Sequence, residues 1–378
     1  EGDGDADLVL ACEWGPVKVF ENDNGKFTDA TARMGMGKLL GWWNSVALGD
    51  LDGDGRLDIV AGNWGRNSKY EQSYREGEPL KIYYADFDDN GQLDIIEAHT
   101  DKEMRSLVPE RGFSCTSRAM DFVRDRCKTF KGFGNSSLQM VIGDNLFAKR
   151  AEVQANTLAS TVFFNRGKSF EPRELPIEAQ FAPVFGINVA DFDGDGDEDV
   201  FLAQNFYASQ SETPRSDGGR GLFLDNNGKG FLSPVSARRS GLKIYGEQRG
   251  SAVCDFNSDG RIDLVVSQNG ARTLLFENTR ANPGLRIHIN AGPGNPTGVG
   301  AIVRLKKGDQ AGPAHQISAG SGYWSQDSAV LVMSSDGMTH VEVKWPGGNA
   351  ATTTVIPKDA KEITIGQGGK IILPKSSQ

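Results

Sequence analysis

The stretch Asp86-DFDDNGQLDIIE-Glu97 fits a twelve-position calcium-loop pattern throughout. It has acidic or amide residues at positions one, three, five and nine, Gly91 at six and Glu97 at twelve. Taken alone it predicts a helix–loop–helix calcium motif. The rest of the chain changes that reading, because the stretch is one of a series. Four full copies superpose: GDLDGDGRLDIVAGN (Gly49–Asn63), ADFDDNGQLDIIEAH (Ala85–His99), ADFDGDGDEDVFLAQ (Ala190–Gln204) and CDFNSDGRIDLVVSQ (Cys254–Gln268). A fifth, EGDGDADLVLA, opens the chain without its first acidic position. Position twelve holds Ala61, Glu97, Leu202 and Val266, so a bidentate Glu is no feature of the repeat. The flanking runs SVALG, KIYYA, INVA and SAVC, and then IVAG, IIEA, VFLA and LVVS, are short and β-rich. The repeating unit is therefore strand, nine-residue loop, strand.

The loops carry the chemistry of a hard cation. Calcium takes six to eight oxygens at about 2.3–2.6 Å, and alternate residues of a tight loop aim their oxygens inward. Positions one, three, five and nine are Asp50, Asp52, Asp54 and Asp58; Asp86, Asp88, Asn90 and Asp94; Asp191, Asp193, Asp195 and Asp199; and Asp255, Asn257, Asp259 and Asp263. Position seven, Arg56, Gln92, Asp197 or Arg261, contributes its carbonyl. About four structural calcium ions are expected.

Composition agrees with a β-rich repeat fold. Forty-seven glycines against 15 prolines favour many tight turns. The formal net charge of −9 excludes a nucleic-acid partner, which needs a basic face. No run of 18 apolar residues is present, so no transmembrane helix is expected. Glu1 stands inside a motif, which leads us to expect a chain truncated at its N-terminus.

A second element recurs downstream of the loops. VFENDNGKFTD (Val19–Asp29), VFFNRGKSFEP (Val162–Pro172) and LFLDNNGKGFLSP (Leu222–Pro234) read as strand, Asn/Gly hairpin, strand. A loop hairpin followed by an outer hairpin makes a four-stranded antiparallel unit, the blade of a β-propeller. These loops resemble the FG-GAP/VCBS repeats of integrin-like propellers. NPTGVGAIVRL (Asn295–Leu305), SAGSGYWSQDS (Ser318–Ser328) and VEVKWPGG (Val341–Gly348) resemble the domain named ASPIC and UnbV. Together they resemble a fragment of a bacterial member of the cartilage-acidic-protein-like family. The resemblance implies an all-β fold: a secreted, seven-bladed propeller with calcium in the blade loops, about five blades of it represented. The expected division is 1–283 for the blades, with a partly helical insertion at 100–150, and 284–370 for a small β-sandwich with the ASPIC/UnbV pattern.

No GxSxG, HExxH or phosphate-binding glycine loop occurs, and no nucleophile–base pair is evident. The expected role is a secreted, periplasmic or cell-surface recognition or adhesion module for a glycan or extracellular protein. The alternative is a polysaccharide lyase or hydrolase working on the propeller face opposite the calcium loops. That face is expected to gather Trp42, Trp43, Trp64, His99, Asn205, Tyr245, Arg249 and Asn269. Exposed aromatics beside amides suit sugar rings or peptides, while packing between blades is the competing reading. Ser321–Gln326 reads as an aromatic turn that docks the C-terminal domain. Cys115 and Cys127 are close enough for a local disulfide, with two thiols on a helical segment as the alternative.

Overall fold

A computed structural model describes residues 4–209, 213–348 and 350–372. The chain is mostly β, in many small antiparallel sheets with few helices. Four of these sheets follow one another. The first holds Leu8–Leu10, Lys18–Asp23 and Lys26–Asp29. The second holds Ser45–Gly49, Asp58–Gly62, Thr161–Asn165 and Phe170–Glu174. The third is Val184–Ala190, Asp199–Gln204, Leu222–Asp225 and Ser233–Val235, and the fourth Glu247–Cys254, Asp263–Asn269 and Leu274–Phe276. Their first strands are neighbours: Ser45–Gly49 packs on Val184–Ala190, which packs on Glu247–Cys254. Each of the four full loop copies runs from strand to strand, with no helix at either end. In the second and third sheets the strand after the loop, Asp58–Gly62 or Asp199–Gln204, is buried along its whole length.

The second sheet contains a correction to the expected organisation. Ile59, Val60 and Ala61 pair with Phe163, Val162 and Thr161, so the sheet is completed only after residues 63–160 have intervened. That excursion starts well before the partly helical insertion expected at 100–150, and it includes the loop copy at Asp86–Asp94. It builds its own sheet, in the order Leu107–Pro109, Asp94–Thr100, Leu80–Ala85, Ala151–Ala155. Five short helices between Phe113 and Lys149 cover one face of it. Met120, Val123, Leu138, Val141 and Ile142 pack there on Tyr83, Phe87, Ile96 and Ala98. Thr129 and Ser137 cap two of these helices by accepting from Gly132 N and Met140 N. Cys115 and Cys127 lie on consecutive helices and no disulfide joins them, so the local bridge is not formed.

The other face of the inserted sheet meets a two-stranded ribbon, Glu13–Gly15 with Gly41–Trp42. Leu80, Ile82, Val153 and Ala155 pack there with Trp14, Trp42, Trp64 and Tyr70.

From Leu285 onward a four-stranded and a five-stranded sheet share one core. The strand Leu285–Asn290 alternates strictly, with Leu285, Ile287 and Ile289 buried. It pairs in parallel with Glu362–Gly366, and Val303, Leu305, Val341 and Val343 of the other sheet close over it. Residues 318–328 leave this unit and run along the first strands of the third and fourth sheets. Ser328 N donates to Val253 O at 2.9 Å, and Asp327 Oδ1 accepts from Asn188 Nδ2 and Val253 N at 2.8 Å each. A Cβ on Gly322 would come within 2.7 Å of Ile187 O, so glycine is what allows the approach. Tyr323 then stacks edge-on against Phe185 at 5.2 Å. Ser321–Gln326 is thus a turn whose aromatic contacts lie on the sheets. Ser321 Oγ is bonded to Asp327 Oδ2 at 2.8 Å.

Candidate metal loops and the opposite face

Each loop wraps its carboxylates in the same way. The position-one carboxylate accepts from the glycine N at position six: Gly55 to Asp50, Gly91 to Asp86, Gly196 to Asp191 and Gly260 to Asp255, at 2.8–3.0 Å. Position five accepts from the N at seven, as Asp54 does from Arg56, Asn90 from Gln92, Asp195 from Asp197 and Asp259 from Arg261. Oδ2 at position nine accepts from the N at two: Leu51, Phe87, Phe192 and Phe256 donate to Asp58, Asp94, Asp199 and Asp263 at 2.9–3.1 Å. The loop is thereby pinned at both ends.

In three loops the acidic groups converge. One oxygen from each of Asp50, Asp52 and Asp58, from Asp86, Asp88 and Asp94, and from Asp191, Asp193 and Asp199 lies within 4.8 Å of the others. Oxygens on opposite sides of a cation bound at about 2.4 Å would have about that spacing. In the second sheet's loop Asp50 is 1% exposed, and its Oδ1 and Asp52 Oδ1 are buried without a hydrogen-bond partner. Buried, unpartnered carboxylate oxygens facing like charges are unfavourable unless a cation or a proton joins them. Burial accordingly pushes Asp58 up to about 7, Asp191 to about 6 and Asp199 to about 8, with neighbouring aspartates adding to the effect. Asp50 and Asp193 are raised for the same first reason. The residues present fit a hard, oxygen-seeking cation. The side chains of Arg56 and Arg261 fold back onto Asp54 and Asp259, which leaves only their carbonyls as donors. In the fourth loop Asn257 donates to Asp259 and Glu277, and Asp255 meets Arg286.

Asparagines that end the third strands brace these loops, and the sequence reading gave them no role. Asn165 N, Asn226 N and Asn278 N donate to the free Oδ1 of Asp58, Asp199 and Asp263 at 2.7, 2.9 and 2.7 Å. Their side-chain amides hold the carbonyl at position eight: Leu57, Glu198 and Ile262. Asn226 and Asn278 reach further, to Leu51 O and Phe192 O of the preceding sheet's loop, at 2.8 and 2.7 Å. Asn22 does the same for the opening copy, with N on Asp7 Oδ1 and Nδ2 on Ala6 O. The signal was the Asn recurring in VFEN, VFFN, FLDN and FEN. In the inserted sheet the strand beside Asp94–Thr100 is Leu107–Pro109, which carries no such Asn.

The residues expected on the opposite face separate. Trp43 is 1% exposed and sets its edge on Phe163 at 5.7 Å, so it is core rather than surface. Asn205 is fully buried, with φ +91, and its amide holds Gly219 O and Gly246 O. His99 lies on the inserted sheet, where Nδ1 is 2.7 Å from Glu110. Arg249 contacts Glu247 and donates to Asn205 O, with its guanidinium 4.0 Å above Phe185. Trp42 and Trp64 stack at 3.9 Å, and the row continues through Phe206, Phe185 and Tyr323 to Trp324. Tyr245 is 62% exposed and Asn269 is exposed. Packing between elements claimed most of these aromatics, since each ring buries a large apolar area.

The FG-GAP-like repeat family matches residues 1–61, and the family described as ASPIC and UnbV matches residues 292–371. Mouse cartilage acidic protein 1 is 23% identical over 370 residues, which is 95% of this chain and 42% of that protein. Its human counterpart is 24% identical, over 93% of this chain and 40% of that protein. The chain therefore spans about two fifths of the length of the curated relatives it matches. Among solved structures, an exotype rhamnogalacturonan lyase covers 89% of this chain and 62% of its own, at 13% identity and a TM-score of 0.21. FG-GAP repeats imply a propeller-like arrangement of the serial sheets. On the loops and the two family segments, this chain carries an FG-GAP-like repeat and an ASPIC and UnbV segment, and over nearly all of its length it is similar to cartilage acidic protein 1.

Proposed function

We propose that the protein is a calcium-binding β-propeller of the seven-bladed type, carrying a C-terminal β-sandwich and acting outside the cell as a recognition or adhesion module. The observation that carries this reading is the repeated loop cage. Three sets of converging carboxylates, two of them with buried members, stand at the same end of their sheets. Calcium here is structural: it cancels repulsion among the aspartates and fixes the loops between neighbouring strands. The relatives' name and the repeat family support an extracellular setting. Among the described residues no helix is long and apolar enough to cross a membrane.

The ligand, a glycan or an extracellular protein, is met at the end of the sheets away from the loops. Tyr245 and Asn269 supply exposed contact there. Sugars and peptides offer an apolar face with hydrogen-bonding edges, which suits an aromatic beside amides. The test is a glycan and peptide array probed with the calcium-loaded chain and with the Tyr245→Ala variant. The Tyr245 side chain is exposed, so its truncation leaves the fold intact. A ligand whose signal drops about tenfold in the variant, at an unchanged melting midpoint, supports the site. Blank arrays in calcium would remove the recognition role.

A further inference from the structure

The C-terminal unit touches the loop carboxylates on one particular side. Asp50 Oδ2, which already accepts from Gly55 N, also accepts from Ala314 N at 2.8 Å. Asp255 Oδ2, which already accepts from Gly260 N, lies 2.9 Å from Arg286 Nε, and the Asp255 side chain is wholly buried. His315 Nδ1 sits 2.7 Å from Glu198 Oε1, and Glu198 Oε2 accepts from Asp50 N across the sheet boundary. Both position-one aspartates are thus engaged at Oδ2, the oxygen tied to their own glycine. The other oxygen of Asp50, Oδ1, is the buried one with no hydrogen-bond partner, within the converging trio.

We propose that Ala314 and Arg286 are positioning residues for the cations of loops 50–58 and 255–263. On this view, docking of the C-terminal unit and metal binding at those loops form one linked equilibrium, from which loop 86–94 stands apart. This rests on the calcium reading above. A carboxylate ligand gives one oxygen to the cation, and its second oxygen is held by donors that fix its direction. Here one of those donors belongs to the C-terminal unit. Removal of the cation strands Asp50 Oδ1 in a dry site, which water can relieve only if the Ala314 segment lifts. Lifting that segment in turn takes a donor from an ionised ligand. Whatever docking adds to cation affinity, the cation adds to docking. Arg286 also pairs with Glu362, so its charge near the cage is shared with a carboxylate. Loop 86–94 differs: Asp86 is held by Asn90 N and Gly91 N, and among the described residues nothing beyond Leu285 bonds to it.

The experiment uses the whole chain and calcium itself. Calcium is titrated calorimetrically, and trypsin cleavage after Arg280 is timed by mass spectrometry with and without chelator. Arg280 is exposed while Ala281 beside it is buried, its carbonyl accepting from Arg261 Nε and Gly284 N donating to Gly260 O, so loop 255–263 holds that bond against the sheets. Chelation is expected to speed cleavage there at least tenfold, ahead of cleavage within the sheets. Asp86→Asn should lose one ion and leave cleavage unchanged. Arg286→Ala removes the guanidinium ion-paired with Asp255 and should weaken one site about tenfold, and Arg286→Lys should recover part of that. Ions that leave in chelator while Arg280 stays protected would overturn the linkage and leave the calcium reading standing. An Arg286→Ala chain that binds every ion like the parent would overturn it too. If the unaltered chain takes up no calcium, both readings fall together.

Discussion

In excess chelator the melting midpoint should fall by on the order of ten degrees at pH 8, and by far less at pH 5. The sign follows from the buried carboxylates. Asp58, Asp191 and Asp199 are pushed up to about 7, 6 and 8 by burial first and neighbouring aspartates second. An unfolded Asp titrates near 3.9. The metal-free fold therefore binds more protons than the unfolded chain between these values. The contribution of these three groups to its stability is fullest below pH 4 and is lost as pH rises through 6 to 8. Calcium acts in the opposite sense, because it binds the ionised oxygens and competes with the protons. At a hundredfold excess over Kd each site contributes about 2.7 kcal/mol, so three sites supply about 8 kcal/mol once they are ionised. At roughly 2 °C per kcal/mol for a chain of this size, a shift on the ten-degree scale follows. Paired melting curves in calcium and in chelator at pH 5, 6.5 and 8 make the check. Curves that stay parallel across that range would mean the aspartates are not the ligand shell.

The loops themselves were legible because their chemistry is local. Five alternating oxygen-bearing positions and one glycine fix a nine-residue shape wherever they occur, and position twelve removed the helical alternative. Nesting was not legible. GDLDGDGRLDIVAGN and ADFDDNGQLDIIEAH follow within forty residues and look like successive units, yet the first waits for Val162 and Phe163 to complete its sheet. Strand pairing depends on which apolar face fits the buried strand Asp58–Gly62, and a sequence read in order does not contain that choice. The aromatic face failed in part for a related reason. Trp42 and Trp43 alternate along the chain, so one points to the stack with Trp64 and the other into the core beside Phe163. The docking turn was legible in SGYWSQ, because Gly322 and its neighbouring rings mark a close approach. The carboxylates it would approach were not, since Ala314 contributes only a backbone N–H and any residue but proline supplies that.

Asn226→Ala should be the most damaging single truncation among the loop braces, with Asn165→Ala clearly milder. Asn226 is 5% exposed, and its amide donates to Leu51 O and Glu198 O at 2.8 Å each. The first carbonyl belongs to the second sheet's loop and the second to the third sheet's own, so one side chain ties adjacent sheets at their metal ends. Truncation leaves two buried acceptors short of a donor, at about 1–3 kcal/mol each. Asn165 donates its amide only to Leu57 O, at 3.2 Å, within one sheet. Asn278 repeats the double bond between the fourth and third sheets and should fall beside Asn226. Asn226→Asp separates the brace from simple volume, because it keeps the shape, discards both donors and puts a negative charge beside Asp199. It should melt no higher than the alanine variant, and lower still in chelator. Should Asn226→Asp melt with the parent chain, the carbonyls of Leu51 and Glu198 do not need that amide, and the sheets are held at their loop ends by the cations alone.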